Sequence, residues 1–150
     1  MGYVAAPPNL ITELAKIRQI IDVQGDPIIE QVVAELLNDG EIRRHTKKSL
    51  KVYRERRDFM VTQLREKLSD VIDFKTPEGG LAIWAKFDKK IPLPELADEL
   101  MKNQIALSKG LLHDISAGRK LNSARMGFGW MNIAEAERAI NILEKNIRKL

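Results

Sequence analysis

The sequence predicts an α+β fold: a small, mostly antiparallel sheet with helices packed on one face, preceded by a helical segment. Three observations lead there. The first 68 residues carry three successive helical periodicities. At about residue 70 the pattern changes to short runs with a period of two, separated by glycine and proline turns. From there the order reads β-β-α-β-β-α, which calls for one sheet covered on one side.

The helical part opens on "MGYVAAPPNLI", a strand-like start broken by two prolines. Asn9 is placed to cap a helix from Leu10, with Ile11, Leu14, Ile17, Ile20 and Ile21 on one side. "QGDP" at 24–27 interrupts it, and Asp26 before Pro27 starts a second helix that "NDG" at 38–40 ends. A long third helix is predicted over residues 41–68. Its stripe of Ile42, Ser49, Val52 or Tyr53, Phe59 or Met60, Leu64 and Leu68 recurs about every 3.5 residues.

Two strands follow, "VIDFKT" and "LAIWAKF", joined by the turn "PEGG". In the second, Leu81, Ile83, Ala85 and Phe87 share a face and Trp84 lies on the other. A helix is expected over residues 93–103, then a short strand and turn, "IALSKG", at 105–110. The polar loop "SAGRKLN" leads into "SARMGFGW" at 123–130, a core-like strand. Asn132 with Glu135 three residues on forms a capping-box pattern for the last helix, striped by Ile133, Ala136, Ile140, Leu143 and Ile147.

Composition removes several function classes. The chain has 150 residues, enough to bury about 70% of its unfolded surface in one core. It has no run of eighteen apolar residues, so no membrane partner is expected, and its start has no signal-peptide pattern. The absence of cysteine excludes disulfides and thiolate metal sites and fits a cytoplasmic protein. The two histidines, His45 and His113, have no metal-ligand spacing, so no metal is expected.

The net charge of +4 is unevenly spread, because residues 43–57 hold eight Lys and Arg against one acid. Such a stripe is a solvated helix face or, alternatively, a surface for a partner or nucleic acid. Residues 95–115 imitate a helix-turn-helix, but Met101 stands where the turn glycine belongs and 105–108 reads as strand. No nucleophile–base pair is visible, there is no phosphate-binding glycine loop, and both tryptophans read as core residues.

Two features remain open on chemistry alone. Gly79 and Gly80 form either a tight turn or a place where a ligand approaches the backbone. Arg125, a permanent charge in a core-like strand, is either an edge residue whose stem snorkels or a bidentate clamp for a carboxylate.

Four stretches, in order, carry a resemblance: "MGYVAAPPNLI", "HTKKSLKVYRERRDFMVTQL", "PEGGLAIWAKF" and "SARMGFGWMNIAEAERAINIL". Together they resemble the C-terminal part of fold-type I aminotransferases dependent on pyridoxal phosphate (PLP). The aminotransferase-like domain of the MocR (GntR-family) transcriptional regulators is especially similar. The resemblance implies that Arg125 binds the α-carboxylate of an amino-acid substrate and that Gly79 and Gly80 line the substrate side of the pocket. It puts Tyr3 beside the arginine that binds the cofactor phosphate, a residue for which this chain has no counterpart. It also puts the Schiff-base lysine ahead of the Gly-Tyr pair, so none of this chain's lysines matches it by position.

On that basis residues 1–40 are expected to belong to a large PLP-binding domain and its interdomain helices, and residues 41–150 to form the C-terminal small domain. The implied parent is a cytoplasmic homodimer that moves an amino group between an amino acid and a 2-oxo acid. These 150 residues alone are expected to be inactive and not to bind PLP. Two alternatives stand beside this: the effector-sensing domain of a regulator that reads DNA through a separate domain, and a stand-alone basic helical binding domain.

Overall fold

The computed structural model describes residues 2–22, 25–109 and 122–150. His113, Gly110 and most of the polar loop at 116–122 lie outside the described residues. The described elements are α1 (Pro8–Ile21), α2 (Pro27–Asn38), α3 (Glu41–Leu68), β1 (Ile72–Asp73), β2 (Ala82–Phe87), α4 (Leu93–Lys102), β3 (Ser123–Gly127) and α5 (Ile133–Ile147). By contacts the chain divides inside α3 into two units, Met1–Lys48 and Ser49–Leu150.

In the first unit, α1 begins at Pro8, with Pro7 as its N-cap and no side-chain cap. The expected Asn9 cap is therefore corrected. Proline at the first helical position has a preset φ and no N–H to leave unpaired, so the helix starts two residues early. The amides of Leu10 and Ile11 bond to the Pro7 carbonyl at 3.0 and 3.1 Å. Asp26 caps α2 as its sequence suggests, accepting from the amides of Ile28 at 3.0 Å and Ile29 at 3.2 Å. Gly40, at φ +73°, turns the chain after α2 into α3. The strand-like residues 2–6 form no strand, because no described strand pairs with them. None of the described residues of this unit is buried, so the apolar stripes of α1 and α2 stay exposed.

The second unit holds the core. Its sheet is fully antiparallel, in the order β1-β2-β3. Register sets Ile83 opposite Met126, Trp84 opposite Arg125 and Ala85 opposite Ala124. Alternation then separates the faces. Ile83, Ala85, Phe87 and Ala124 are buried, whereas Trp84, Lys86 and Arg125 are exposed. Met60, Leu64 and Leu68 of α3, Leu96 and Leu100 of α4, and Ile140 and Leu143 of α5 join the buried cluster. The α+β fold with helices on one face of a small antiparallel sheet is thus what the chain adopts.

Three expectations need correction here. Residues 105–109 form no strand among the described residues. The Ile105 amide turns back to bond the Leu100 carbonyl at 3.1 Å, closing the end of α4 instead of entering a ladder. Leu81 lies before β2 and is exposed, because the ladder begins at Ala82. The tryptophans are not core residues: Trp84 is 45% exposed on the outer face of the sheet, and Trp130 is 96% exposed in the turn after β3.

The final helix follows its sequence signal closely. The Asn132 side chain accepts from the Glu135 amide at 2.9 Å, and the Glu135 carboxylate accepts from the Asn132 amide at 2.8 Å. This reciprocal box satisfies two otherwise unpaired donors and fixes where α5 begins. Ala136, Ile140, Leu143 and Ile147 then fall on the buried side.

Candidate functional site

The outer face of the sheet places Arg125 at the middle of β3. A charge is tolerable there because the alternation turns it away from Ala124 and Met126, which face the core. Arg125 is exposed, and among the described residues no carboxylate lies within ion-pair distance of it. The fork of five N–H donors is therefore available to a planar anion.

Arg125 also stands at the edge of a cavity of about 450 Å³. The cavity runs beside β3, between the end of α4, residues 105–107 and the start of α5. Its buried floor is Met60, Leu100, Ile140 and Leu143. Asn103, Gln104, Glu135 and Arg138 supply polar groups, and Trp130 stands exposed at the margin.

The diglycine turn lies at one end of the same strand pair. Ala82 is opposite Gly127, and the Phe128 amide donates to the Leu81 carbonyl at 2.9 Å. So Gly79 and Gly80 approach the Gly127 end, two residues along β3 from Arg125. Gly80 has φ +77°, which a side-chain-bearing residue rarely adopts; a Cβ at either glycine would meet nothing within 4 Å. Space beside the turn is therefore open. Tyr3 belongs to the other unit and is 95% exposed.

Two residues that the sequence reading assigned to the outward basic face turn inward instead. The half-buried Arg56 donates through Nη1 to the Gly129 carbonyl at 2.6 Å, in the turn after β3. Arg57 donates through Nη1 to the Pro77 carbonyl at 3.3 Å, ahead of the diglycine, and its Nη2 pairs with Asp58 at 2.6 Å. The 3.5-residue spacing held this signal, since Arg56 and Arg57 lie one turn before the buried Met60 and Val61. α3 thus holds both turns that flank the strand pair at its Gly127 end.

Residues 1–142 match the family described as Aminotransferase class I and II. The chain belongs to that family. It is 28% identical over 150 residues to the HTH-type transcriptional regulator YisV of Bacillus subtilis (strain 168), covering 100% of this chain and 30% of that protein. It is 26% identical over 154 residues to Aromatic-amino-acid aminotransferase 1 of Thermococcus litoralis, covering 99% of this chain and 36% of that protein. In fold it is similar to LysN, an alpha-aminoadipate aminotransferase from Thermus thermophilus solved with N-(5'-phosphopyridoxyl)-L-leucine. There the TM-score is 0.84 at 20% identity, over 97% of this chain and 37% of that one. The chain spans about a third of the length of the curated relatives it matches.

Aminotransferases of this fold use PLP, so the cavity can be tested against that group. A covalent PLP site needs a lysine amine facing it. The described residues lining the cavity include neither lysine nor aspartate. They do not fit PLP as a covalent site, although Arg125 fits a carboxylate. No described helix is long and apolar enough to cross a membrane, and no described cluster of three or more His, Cys, Asp or Glu could hold a metal ion.

Proposed function

We propose that this chain is the C-terminal part of a PLP-dependent aminotransferase and supplies the arginine that binds the α-carboxylate of an amino-acid substrate. The observation carrying this reading is Arg125: exposed, free of any described carboxylate, and at the edge of a cavity on a family-matched strand. Gly79 and Gly80 leave room on the substrate side. The Schiff-base lysine and the groups around the cofactor come from outside these 150 residues, which is supported by the lack of a lysine at the cavity. Residues 1–40 then belong to the large domain, and residues 41–150 form the small domain. The exposed apolar stripes of α1 and α2 favour this, since they have no cover in their own unit. The parent is a cytoplasmic homodimer transferring an amino group between an amino acid and a 2-oxo acid, and the 150 residues alone neither bind PLP nor turn over.

In the full-length protein, Arg125→Gln is expected to weaken amino-acid binding by about 3 kcal/mol, on the order of a hundredfold. Arg125→Lys recovers part of that, because a lysine keeps the charge but not the fork. Amino-acid titration of the cofactor absorption band reads the effect. An unchanged affinity in a folded Arg125→Gln protein rules the reading out, and transaminase turnover by the 150-residue chain alone rules out the division of labour.

Similarity to YisV, named as a transcriptional regulator, favours a second reading. There the same arginine binds an effector carboxylate, and a separate domain reads DNA. A DNA-binding region elsewhere in the full-length protein, with amino-acid-dependent DNA affinity and no turnover, would select it. The third reading, a stand-alone binding domain using the basic residues at 43–57, predicts polyanion binding by this chain that falls steeply with salt.

A further inference from the structure

Arg125 sits between two tied points of its strand. Ahead of it, the Asn122 side chain donates to the carbonyls of Asp88 at 2.6 Å and Ile91 at 3.0 Å. Beyond it the ladder ends at Gly127, opposite Ala82. Residues 127–130 include two glycines, and of the four only Phe128 is buried. Glycine gives a backbone more conformations to lose, so this end of the strand needs ties from outside the ladder. Three ties stand among the described residues. The Phe128 amide donates to the Leu81 carbonyl at 2.9 Å. Gly129 lies so close to Leu81 that a Cβ there would stand 3.3 Å from the Leu81 Cβ. The third comes from α3, where the Arg56 Nη1 donates to the Gly129 carbonyl at 2.6 Å.

Among the described residues no backbone amide takes that carbonyl, nor the Pro77 carbonyl, to which the Arg57 Nη1 donates at 3.3 Å in the turn before β2. Both donors stand on a well-anchored element. Arg56 lies four residues before Met60 on α3, and Met60, Leu64 and Leu68 are buried in the core. A guanidinium carried by that helix therefore fixes the turn relative to the core, and not only relative to the neighbouring strand.

We infer that Arg56, with Arg57 as a weaker second brace, is a positioning residue for Arg125: it fixes the turn after β3 and so the direction in which the Arg125 fork meets a carboxylate. The inference rests on the carboxylate reading of Arg125. Both α3 arginines act through the backbone of a turn. Bidentate recognition depends on direction, because two parallel N–H···O bonds must form together, whereas an ammonium is a point charge with rotating donors. That difference separates positioning from mere support of the fold.

The experiment titrates the full-length, cofactor-loaded protein with L-alanine, reading the heat of binding, in a double-mutant cycle of Arg56→Met and Arg125→Lys. Arg56→Met is expected to weaken alanine binding on the order of tenfold when Arg125 is present, and by less than about twofold in the Arg125→Lys background. Arg56→Lys, which keeps a donor for the Gly129 carbonyl, should recover most of the loss. Arg57→Met should act in the same direction but more weakly, since its bond is longer and Asp58 shares its guanidinium. Unfolding midpoints show which variants are folded. Should Arg56→Met not fold, Arg56→Gln, whose shorter side chain falls short of the carbonyl, carries the same cycle.

Alanine binding unchanged by Arg56→Met, or weakened equally with Arg125 and in the Arg125→Lys background, would overturn the positioning role. A loss that Arg56→Lys leaves complete would overturn the Gly129 bond as its cause. The carboxylate reading fails differently: the wild type would not bind alanine, or Arg125→Gln would leave its binding unchanged, and the positioning role falls with it. Weakened binding in Arg125→Gln beside full binding in Arg56→Met sinks the positioning role alone.

Discussion

Replacing Asn122 with alanine should loosen the entry to β3, the strand that presents Arg125. The Asn122 Nδ2 donates to the carbonyls of Asp88 at 2.6 Å and Ile91 at 3.0 Å, with a longer contact of 3.4 Å to Phe87. Its own carbonyl accepts from the Phe87 amide at 2.8 Å. One side chain therefore ties the connection between β2 and α4 to the residue immediately before β3. Asn122→Ala keeps the backbone bond and removes the side-chain bonds. Water can replace the bond to Asp88, which lies in exposed surroundings, but replaces the part-buried one to Ile91 less well.

At about 1 kcal/mol net per hydrogen bond, plus a penalty for a part-buried acceptor left unpaired, the loss is about 2 kcal/mol. For a unit of roughly 100 residues that lowers the melting temperature by about 10 °C. Thermal and urea unfolding, followed by circular dichroism, measure it. Asn122→Asp sharpens the test, because it keeps the size and exchanges the donor for a carboxylate aimed at carbonyls. At neutral pH it should be at least as unstable as Asn122→Ala, and it should recover on acidification as a protonated carboxyl regains a donor. An Asn122→Ala protein with an unchanged midpoint, or an Asn122→Asp protein more stable than it at neutral pH, would refute the reasoning.

Two further outcomes concern how α5 is held. Arg148 binds Asp70 in bidentate fashion, at 2.5 and 2.9 Å, and this hydrogen bonding holds the Asp70 carboxyl below its ordinary value of 3.8. A carboxyl lowered in the folded state adds stability above its unfolded value and loses it as pH falls through the folded one. Urea midpoints should therefore drop below about pH 4 more steeply in the wild type than in Asp70→Asn, and matching acid limbs would contradict this. Asn132→Ala removes the side-chain bond of the capping box and should cost about 1 kcal/mol in urea unfolding, whereas Asn132→Ser should cost much less. Equal losses for the two would show that the cap is not what stabilises the start of α5.

Much of the fold was legible because its signals are local. The bounds of α3 follow from a glycine that must take positive φ before it and a stripe that ends at Leu68. The capping box announced α5, and Asp26 before Pro27 announced α2. The errors arose where a residue's surroundings depend on a partner distant in sequence. Residues 105–109 look like a strand, but a strand needs a ladder, and the Ile105 amide is already bonded to Leu100. Trp84 was put on the face opposite Ile83 by alternation and in the core by its size; alternation describes it correctly, since the helices cover only one face. Pro8 outcompeted Asn9 because a preset backbone needs no side-chain cap. The cavity was not legible at all, since its lining comes from α3, α4, β3, α5 and the segment after α4.

Arg125 connects these threads. A guanidinium on the buried face of this sheet would need a paired carboxylate to offset its desolvation, and that carboxylate would then exclude a ligand. On the outer face neither is required. The packing that makes the sheet stable, with Ile83, Ala85, Phe87 and Ala124 under three helices, is therefore what leaves the other face able to carry a charge that has no carboxylate partner among the described residues. The helix that completes this core also reaches around to that face. From α3, Met60 and Leu64 enter the core, while Arg56 and Arg57 bind the carbonyls of Gly129 and Pro77 in the turns flanking the two strands. These turns sit at the Gly127 end, two residues from Arg125, where backbone slack would blur the direction of the fork. A bidentate contact, as proposed for Arg125, tolerates little misalignment, so the two arginines on α3 are placed to steady the strand that presents the third.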